Sequence, residues 1–443
     1  MQKETFMRLS PCRRGPVLRG STAEVGHQES FRFPTSRFSA FRFLSVFICV
    51  HLWLNCLVPA QAANHVVAWG AGTNVDKSSG SENYGQSLVP AALTNAVLVA
   101  GGRWHSMALN ANGTLTGWGD ATLDQTNFPA GSNYASVACG QFFSLALKTS
   151  GTVVAVGDDT YGQTDVPSAL SNVVAIACGW YHCLALRSDG TVVSWGTSTN
   201  PADFGTDDAS YGQCLVPAGL SNVVAVAGGG FHSLALKADG TVTAWGATSG
   251  SADYGQSVVP TDVSNVVAIS AGAADSMALA ANGRLIAWGD NTYGQTNVPA
   301  NLTNGIAAIA SGGWHNLALR TNGVVTAWGA GVGTSSVDYG QTNVPGNLTN
   351  VIQIAAGFYH SLALVGNAPP RITVPLVITE SKTNIFTVAW PTRNGRVYRL
   401  EYSSALINPT WKAFPLEAGT GGTNRLTDTN GPAAERFYRV SRW

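Results

Sequence analysis

One stretch of this 443-residue chain constrains all the rest: the pattern of Ser221 to Pro260 is written seven times. It holds three short apolar runs, at residues 223–227, 233–236 and 241–245, each bounded by Gly, Asp-Gly or Pro. Short β-branched or alternating runs with such borders are strands rather than helices. Asp239-Gly240 stands between the second and third runs, where a hairpin needs residues that tolerate positive φ. A sheet of three such strands has two apolar faces and cannot bury both alone, so the copies must stack.

The start of the second run falls at His105, Phe143, His182, His232, Asp275, His315 and His360, with a glycine three residues earlier in every copy. The Trp-Gly pair that ends the third run falls at Trp69, Trp118, Val156, Trp195, Trp245, Trp288 and Trp328. The two series are out of phase: the first Trp-Gly has no second run before it, and the last second run has no Trp-Gly after it. A linear stack would leave both ends frayed. A ring lets strand 65–70 complete the unit begun by residues 351–364 and removes the exposed edge. The expected fold is therefore all-β: a seven-bladed β-propeller closed by its N-terminal strand, followed by a small β-sandwich-like C-terminal module.

The long motif Gly-x-aromatic-His-Ser-Leu-Ala-Leu, then Asp/Asn-Gly, Val-x-Ala-Trp-Gly and Tyr-Gly-Gln, resembles the regulator-of-chromosome-condensation repeat. That resemblance implies a seven-bladed propeller over roughly residues 64–366. The compact endings Tyr161–Pro167 and Tyr293–Pro299 are most similar to a bacterial secreted branch that includes beta-lactamase inhibitor protein II. In that branch the partner is gripped by aromatics on one propeller face. The family's propellers serve unrelated partners, so function has to be argued from the site.

Three segments differ in charge. Residues 1–63 carry eight Lys/Arg against three acids, residues 64–368 seven against seventeen, and residues 369–443 ten against five. In the first, Arg37 and Arg42 precede an apolar run from Phe43 to Val58 that ends in Ala60-Gln61-Ala62, the form of an export signal. Residues 1–62 are read as a signal peptide with a long leader, within which Met7 is an alternative start. The protein is then exported: extracellular, periplasmic or cell-surface, with no membrane span once the signal is cut. Residues 63–367 form the propeller. The Pro369-Pro370 linker opens 368–443, where Ile385–Trp390, Val397–Tyr402 and Phe437–Val440 alternate as half-buried strands do. Of the cysteines that remain, Cys139, Cys178, Cys183 and Cys214 leave both disulfides and buried thiols open.

Most recurring polar positions have structural readings. Each His is expected to hydrogen-bond within its own blade, each Trp to pack between blades, and each Gln of Tyr-Gly-Gln to tie its loop to the next blade through its amide. No metal, cofactor or catalytic constellation is expected, and the 203–208 loop has no spaced calcium motif. The residue before each His is different: Trp104, Phe142, Tyr181, Phe231, Ala274, Trp314 and Tyr359, six of seven aromatic. In an antiparallel blade this turn and the variable loops after the third strand emerge on one face. Trp104, Phe142, Tyr181, Phe231, Trp314 and Tyr359 are therefore the candidate partner-binding residues. The expected function is an exported, non-enzymatic protein–protein interaction propeller. The alternative is a carbohydrate or cell-surface polymer binding protein using the same face. A net charge of −10 over residues 64–368 argues against nucleic-acid phosphates as a partner.

Overall fold

A computed structural model describes residues 7–9, 64–76, 82–197, 209–248, 250–330, 336–366, 377–382, 385–403, 412–428 and 436–442. The leader, apart from 7–9, the acidic loop at 203–208 and the tips of the longer third-strand loops lie outside them. The described residues are all-β, with no helix among them.

The repeats form antiparallel three-stranded sheets in the order first, second, third strand. Sheet 1 is Ala96–Gly101, His105–Asn110 and Leu115–Gly119. Sheet 2 is Tyr134–Cys139, Phe143–Lys148 and Val153–Gly157. Sheet 3 is Val173–Cys178, His182–Arg187 and Val192–Gly196. Sheet 4 is Val223–Gly228, Ser233–Lys237 and Val242–Trp245. Sheet 5 is Val266–Ala271, Asp275–Ala280 and Leu285–Gly289. Sheet 6 is Ile306–Ser311, His315–Arg320 and Val325–Gly329. Sheet 7 pairs Val351–Ala356 with His360–Val365, and the third place is taken by His65–Gly70, with His65 opposite Val365 and Gly70 opposite His360.

Local chemistry accounts for these shapes. Each first strand carries a bulge after its opening residue, as between Val223 and Ala225 or Val351 and Gln353. In four sheets an Asn (172, 222, 265 or 350) stands just before that residue at positive φ, a conformation Asn tolerates better than most side chains. Second strands are buried almost throughout; Leu184, Leu186, Leu234, Leu236 and Met277 are fully enclosed. Each is covered on both faces by neighbouring sheets, which explains why the run reads apolar without alternation.

First strands contact the first strands of the next sheet in order, and Val351–Ala356 contacts Ala96–Gly101. Gln353 spans that last junction: its Oε1 accepts from Val99 N (3.2 Å) and its Nε2 donates to Val99 O (3.3 Å).

Beyond residue 376 lie two further antiparallel sheets. One is Val377–Lys382, Ile385–Pro391 and Thr423–Asp428; the other pairs Val397–Ser403 with Lys412–Ala418 and Arg436–Arg442, with Met7–Leu9 on its edge. Val388 and Trp390 from one, and Tyr398, Leu400 and Tyr438 from the other, share one buried cluster. This module rests on the hairpin end of the repeats. Leu416 N donates to Ala238 O (2.9 Å), Asn394 Nδ2 to Val174 O (3.1 Å) and Arg399 Nη2 to Asn265 Oδ1 (3.0 Å).

Candidate functional site

Two polar or aromatic layers lie next to each other in every repeat. The inner layer is a set of buried pairs between sheets. His105 Nε2 meets Ser144 Oγ at 2.8 Å, and His182, His232, His315 and His360 meet Ser233, Ser276, Ser361 and Ser106 at 2.8–2.9 Å. The expectation that each His bonds within its own blade is corrected: the partner belongs to the next sheet. The reason is steric. The ring lies where a Cβ on the repeat glycine would be (that of Gly102 would stand 2.2 Å from His105 Cε1), so the imidazole crosses the seam.

Donor counting sets the tautomer. Ser106, Ser233, Ser276 and Ser361 give their one hydroxyl hydrogen to the main-chain oxygens of Gln86, Gln213, Gln256 and Gln341. The imidazole Nε2 must therefore carry the hydrogen of the His–Ser contact. Burial holds these imidazoles neutral, pushing His105 down to about 4 and the other four to about 3.

The two copies without His obey the same count. Asp275 offers no hydrogen when ionised, and its partner is Asn316, whose Nδ2 has two: one goes to Asp275 Oδ2 (2.9 Å), the other to Gln295 O (2.8 Å). Burial lifts the Asp275 carboxyl to about 7. Phe143 is apolar, and Cys183 stands opposite it in the next sheet's core while giving its Sγ hydrogen to Gln163 O (3.2 Å).

The same Gln oxygens accept from the indoles. Trp118, Trp195, Trp245, Trp288, Trp328 and Trp69 donate Nε1 to Gln86, Gln163, Gln213, Gln256, Gln295 and Gln341 at 2.8–3.1 Å. The Gln reading needs a correction too. The side-chain amide closes its own loop, as where Gln213 Oε1 accepts from Tyr211 N and Nε2 donates to Ala209 O. The main-chain oxygen makes the link to the next sheet.

The outer layer is the aromatic one. The predicted residues lie at one end of the sheets: Trp104, Phe142, Tyr181, Phe231 and Trp314 are half-buried and Tyr359 is buried. Rings of the Tyr-Gly-Gln motifs pack on them. Tyr84 stacks on Trp104 (4.4 Å), Tyr161 lies beside Tyr181 (5.1 Å), Tyr211 beside Phe231 (5.0 Å) and Tyr339 beside Tyr359 (5.3 Å). Trp104 also touches Phe142 (5.0 Å), and Trp314 stacks on Tyr359 (5.1 Å). Turn and third-strand loop thus share one end. Ala274 leaves a gap in the series.

Sequence reasoning missed the residue between the glycine and the aromatic: Arg103, Gln141, Trp180, Gly230, Ala273, Gly313 and Phe358. Main-chain bonds chain these positions together: Trp180 N to Gly229 O, Gly230 N to Gly272 O, Ala273 N to Gly312 O, Gly313 N to Gly357 O and Phe358 N to Gly102 O, at 3.1–3.3 Å. Trp180, from the turn of sheet 3, stacks on Phe358, from the turn of sheet 7 (5.0 Å), and it meets Phe231 (4.9 Å) and Trp314 (6.4 Å). Arg103 lies 4.6 Å over Trp104 and 5.6–5.9 Å from Phe142, Phe358 and Tyr359. Glu82 accepts from Trp104 Nε1 and lies 3.4 Å from Arg103 Nη2. The available signal was variability: within a motif that otherwise repeats, seven copies show six residue types at this position.

Among the described residues this end offers ring faces, the Arg103 guanidinium with the Glu82 carboxylate beside it, and the carboxylates of the loops leaving the third strands. Burial raises the phenols of Tyr181, Tyr339 and Tyr359, the last to about 12. Among the described residues no group of three or more His, Cys, Asp or Glu could hold a metal ion, and no helix is long and apolar enough to cross a membrane. The four described cysteines are free thiols. A 590 Å³ groove at the other end is lined by Pro217, Leu220, Lys237, Asp239 and Pro415. Its two charged groups face each other at 3.7 Å and it holds no aromatic ring.

With this geometry the comparisons agree. Residues 134–163, 173–200, 223–256 and 266–295 match the family model described as the regulator of chromosome condensation (RCC1) repeat. No curated protein matches the chain. Human WBSCR16 is similar at 20% identity, covering 69% of this chain and 99% of its own, with a TM-score of 0.50. Prp20p of Saccharomyces cerevisiae is similar at 20% identity, covering 69% and 92%, with a TM-score of 0.52. Four of the repeats thus match the regulator of chromosome condensation (RCC1) repeat, and the stacked three-stranded sheets share the fold of these solved structures.

Proposed function

We propose that this chain is an exported, non-enzymatic binding protein that grips a partner protein through the aromatic face of a seven-bladed propeller closed by strand 65–70. The observation that carries the reading is the gathering of half-buried rings from different repeats at one end, in mutual contact and partly open to solvent. Aromatic anchors set among packed neighbours are the composition of a binding hot spot. Closure is supported by the pairing of His65–Gly70 with His360–Val365 and by the His360–Ser106 contact. Export is supported by the leader's sequence alone. Prp20p, of the same fold, binds Gsp1p and histones; those partners are not carried over. The reading of a non-catalytic role is supported by the chemistry of this end, where burial keeps the phenols of Tyr181, Tyr339 and Tyr359 protonated and the Arg103 guanidinium is paired with Glu82.

Sugar binding through the same rings is the second reading. It is favoured by Arg103, Glu82 and Gln141, polar groups of the kind that orient a sugar. It is weakened by the half-buried state of the rings, since pyranose stacking needs an open ring face. The test is capture from native culture fluid by the immobilised chain. One stoichiometric protein, lost with Trp104→Ala/Trp314→Ala, is expected. Equal capture by that variant would remove the aromatic face from the reading.

A further inference from the structure

The chemistry of the partner can be argued from where the charges lie. Lys148, Arg187, Lys237 and Arg320 end second strands, opposite Tyr134, Val173, Val223 and Ile306, where first strands begin. Arg284 follows the Gly283 turn between a second and a third strand. All five stand at the hairpin end, away from the rings. Among the described residues of the repeats, Arg103 alone is a cation at the aromatic end. That end carries instead the carboxylates of the loops leaving the third strands, among them Glu82, Asp124, Asp158, Asp159, Asp253 and Asp338, of which Asp124, Asp159 and Asp253 are exposed.

Arg103 shows what these rings accept. Its guanidinium has four rings within 6 Å and a carboxylate beside it, an arrangement in which ring quadrupoles and an opposite charge both favour a cation. Next to it Gln141 is 3% exposed. Its Oε1 has no hydrogen-bond partner, so this end also holds a buried acceptor lacking a donor.

We propose that the aromatic face takes a cationic partner: a Lys/Arg-rich segment of another polypeptide. Its side chains reach the half-buried rings of Phe231 and Trp314 on either side of the Ala274 gap, and its charges meet the loop carboxylates. The proposal rests on the reading that this face is the binding face. Among the described residues an acidic partner would have only Arg103 to meet, already held by Glu82, and would meet the surrounding carboxylates as like charges.

The test is isothermal titration of the full chain with octa-arginine, octa-glutamate and cellohexaose. Saturable octa-arginine binding is expected, weakened about tenfold by Trp314→Ala and several-fold by Asp159→Asn/Asp253→Asn. The second variant alters exposed loops only, and it serves if Trp314→Ala fails to fold. Octa-arginine binding that neither variant weakens overturns the proposal, as does its absence. Octa-glutamate or cellohexaose binding lost with Trp314→Ala also overturns it but leaves the aromatic face as the binding face. That broader reading falls if captured partner is unaffected by Trp104→Ala/Trp314→Ala.

Discussion

Trp104 and His105 are neighbours in the chain, yet their layers behave as different kinds of matter. The His layer is fully buried and standardised: each copy meets the next through one donor and one acceptor, and departures come in matched pairs, Phe143 with Cys183 and Asp275 with Asn316. The aromatic layer is half-open and unstandardised, with Ala274 dropping its ring and Arg103, Gln141, Trp180 and Phe358 all different. A position that must satisfy an identical neighbour is held to its partner's chemistry, because an unpaired buried polar group costs about 1–3 kcal/mol. A position facing solvent or a ligand is released from that constraint. In a repeat fold, variability at the axis is therefore where function is to be sought.

The contrast can be broken first with acid. Five imidazoles have folded pKa values of about 3 to 4 against an ordinary 6.5. Their contribution is complete above pH 6.5 and is lost as pH falls, because the unfolded chain then binds protons that the fold refuses. Each contributes up to about 1.4 kcal/mol per pH unit. Asp275 acts with the opposite sign: lifted to about 7, it favours the fold below pH 4 and loses that contribution as pH rises to 7. Calorimetry should show Tm falling steadily from pH 6.5 to pH 4, more steeply in Asp275→Asn, which removes the opposing group. A flat profile would mean the imidazoles are not sealed.

Next in size is Gly102→Ala. The new Cβ would overlap the His105 ring and stand 2.8 Å from Gly140 O. Overpacking together with a lost buried bond should cost roughly 3 kcal/mol or more in urea unfolding. Ser276→Ala, which strips His232 of its acceptor and Gln256 O of one of its two donors, should cost about 1–3 kcal/mol. A cycle through His232→Phe and Ser276→Cys, copying the Phe143–Cys183 pair, should show favourable coupling of at least 0.5 kcal/mol. Strict additivity would reduce the matched pairs to coincidence.

Much of this was legible beforehand, for a physical reason. Strand, hairpin and repeat are local: Asp239-Gly240 announces its turn, and the phase of the Trp-Gly series announces that residues 65–70 complete the last sheet. The aromatic position was legible because it recurs. The partner of each His was not, since the bond crosses to a residue 39 to 254 positions away, and only comparing copies pairwise exposes Phe143 with Cys183. Arg103, Trp180 and Phe358 were missed because a pattern defined by recurrence is blind to the position that does not recur. The Gln side chains misled because their main-chain oxygens, invisible to residue type, make the link.

The smallest effect on stability sharpens the comparison most. Trp104 and Trp314 touch Tyr84, Phe142 and Tyr359 at 4.4–5.1 Å, so truncating each gives up a ring contact of about 0.5–1.5 kcal/mol but leaves no buried donor of the inner layer unpaired. Trp104→Ala/Trp314→Ala should therefore unfold cooperatively, with an unchanged urea m-value and a loss smaller than that of Gly102→Ala. Partner capture, by contrast, should fall at least tenfold, since each anchor in a hot spot is typically worth about 2 kcal/mol or more. If the double variant instead melts near room temperature, both layers are core. The division between a standardised seam and a free face would then be lost, because variability at the axis would reflect seven local solutions to packing rather than a surface left open for a partner.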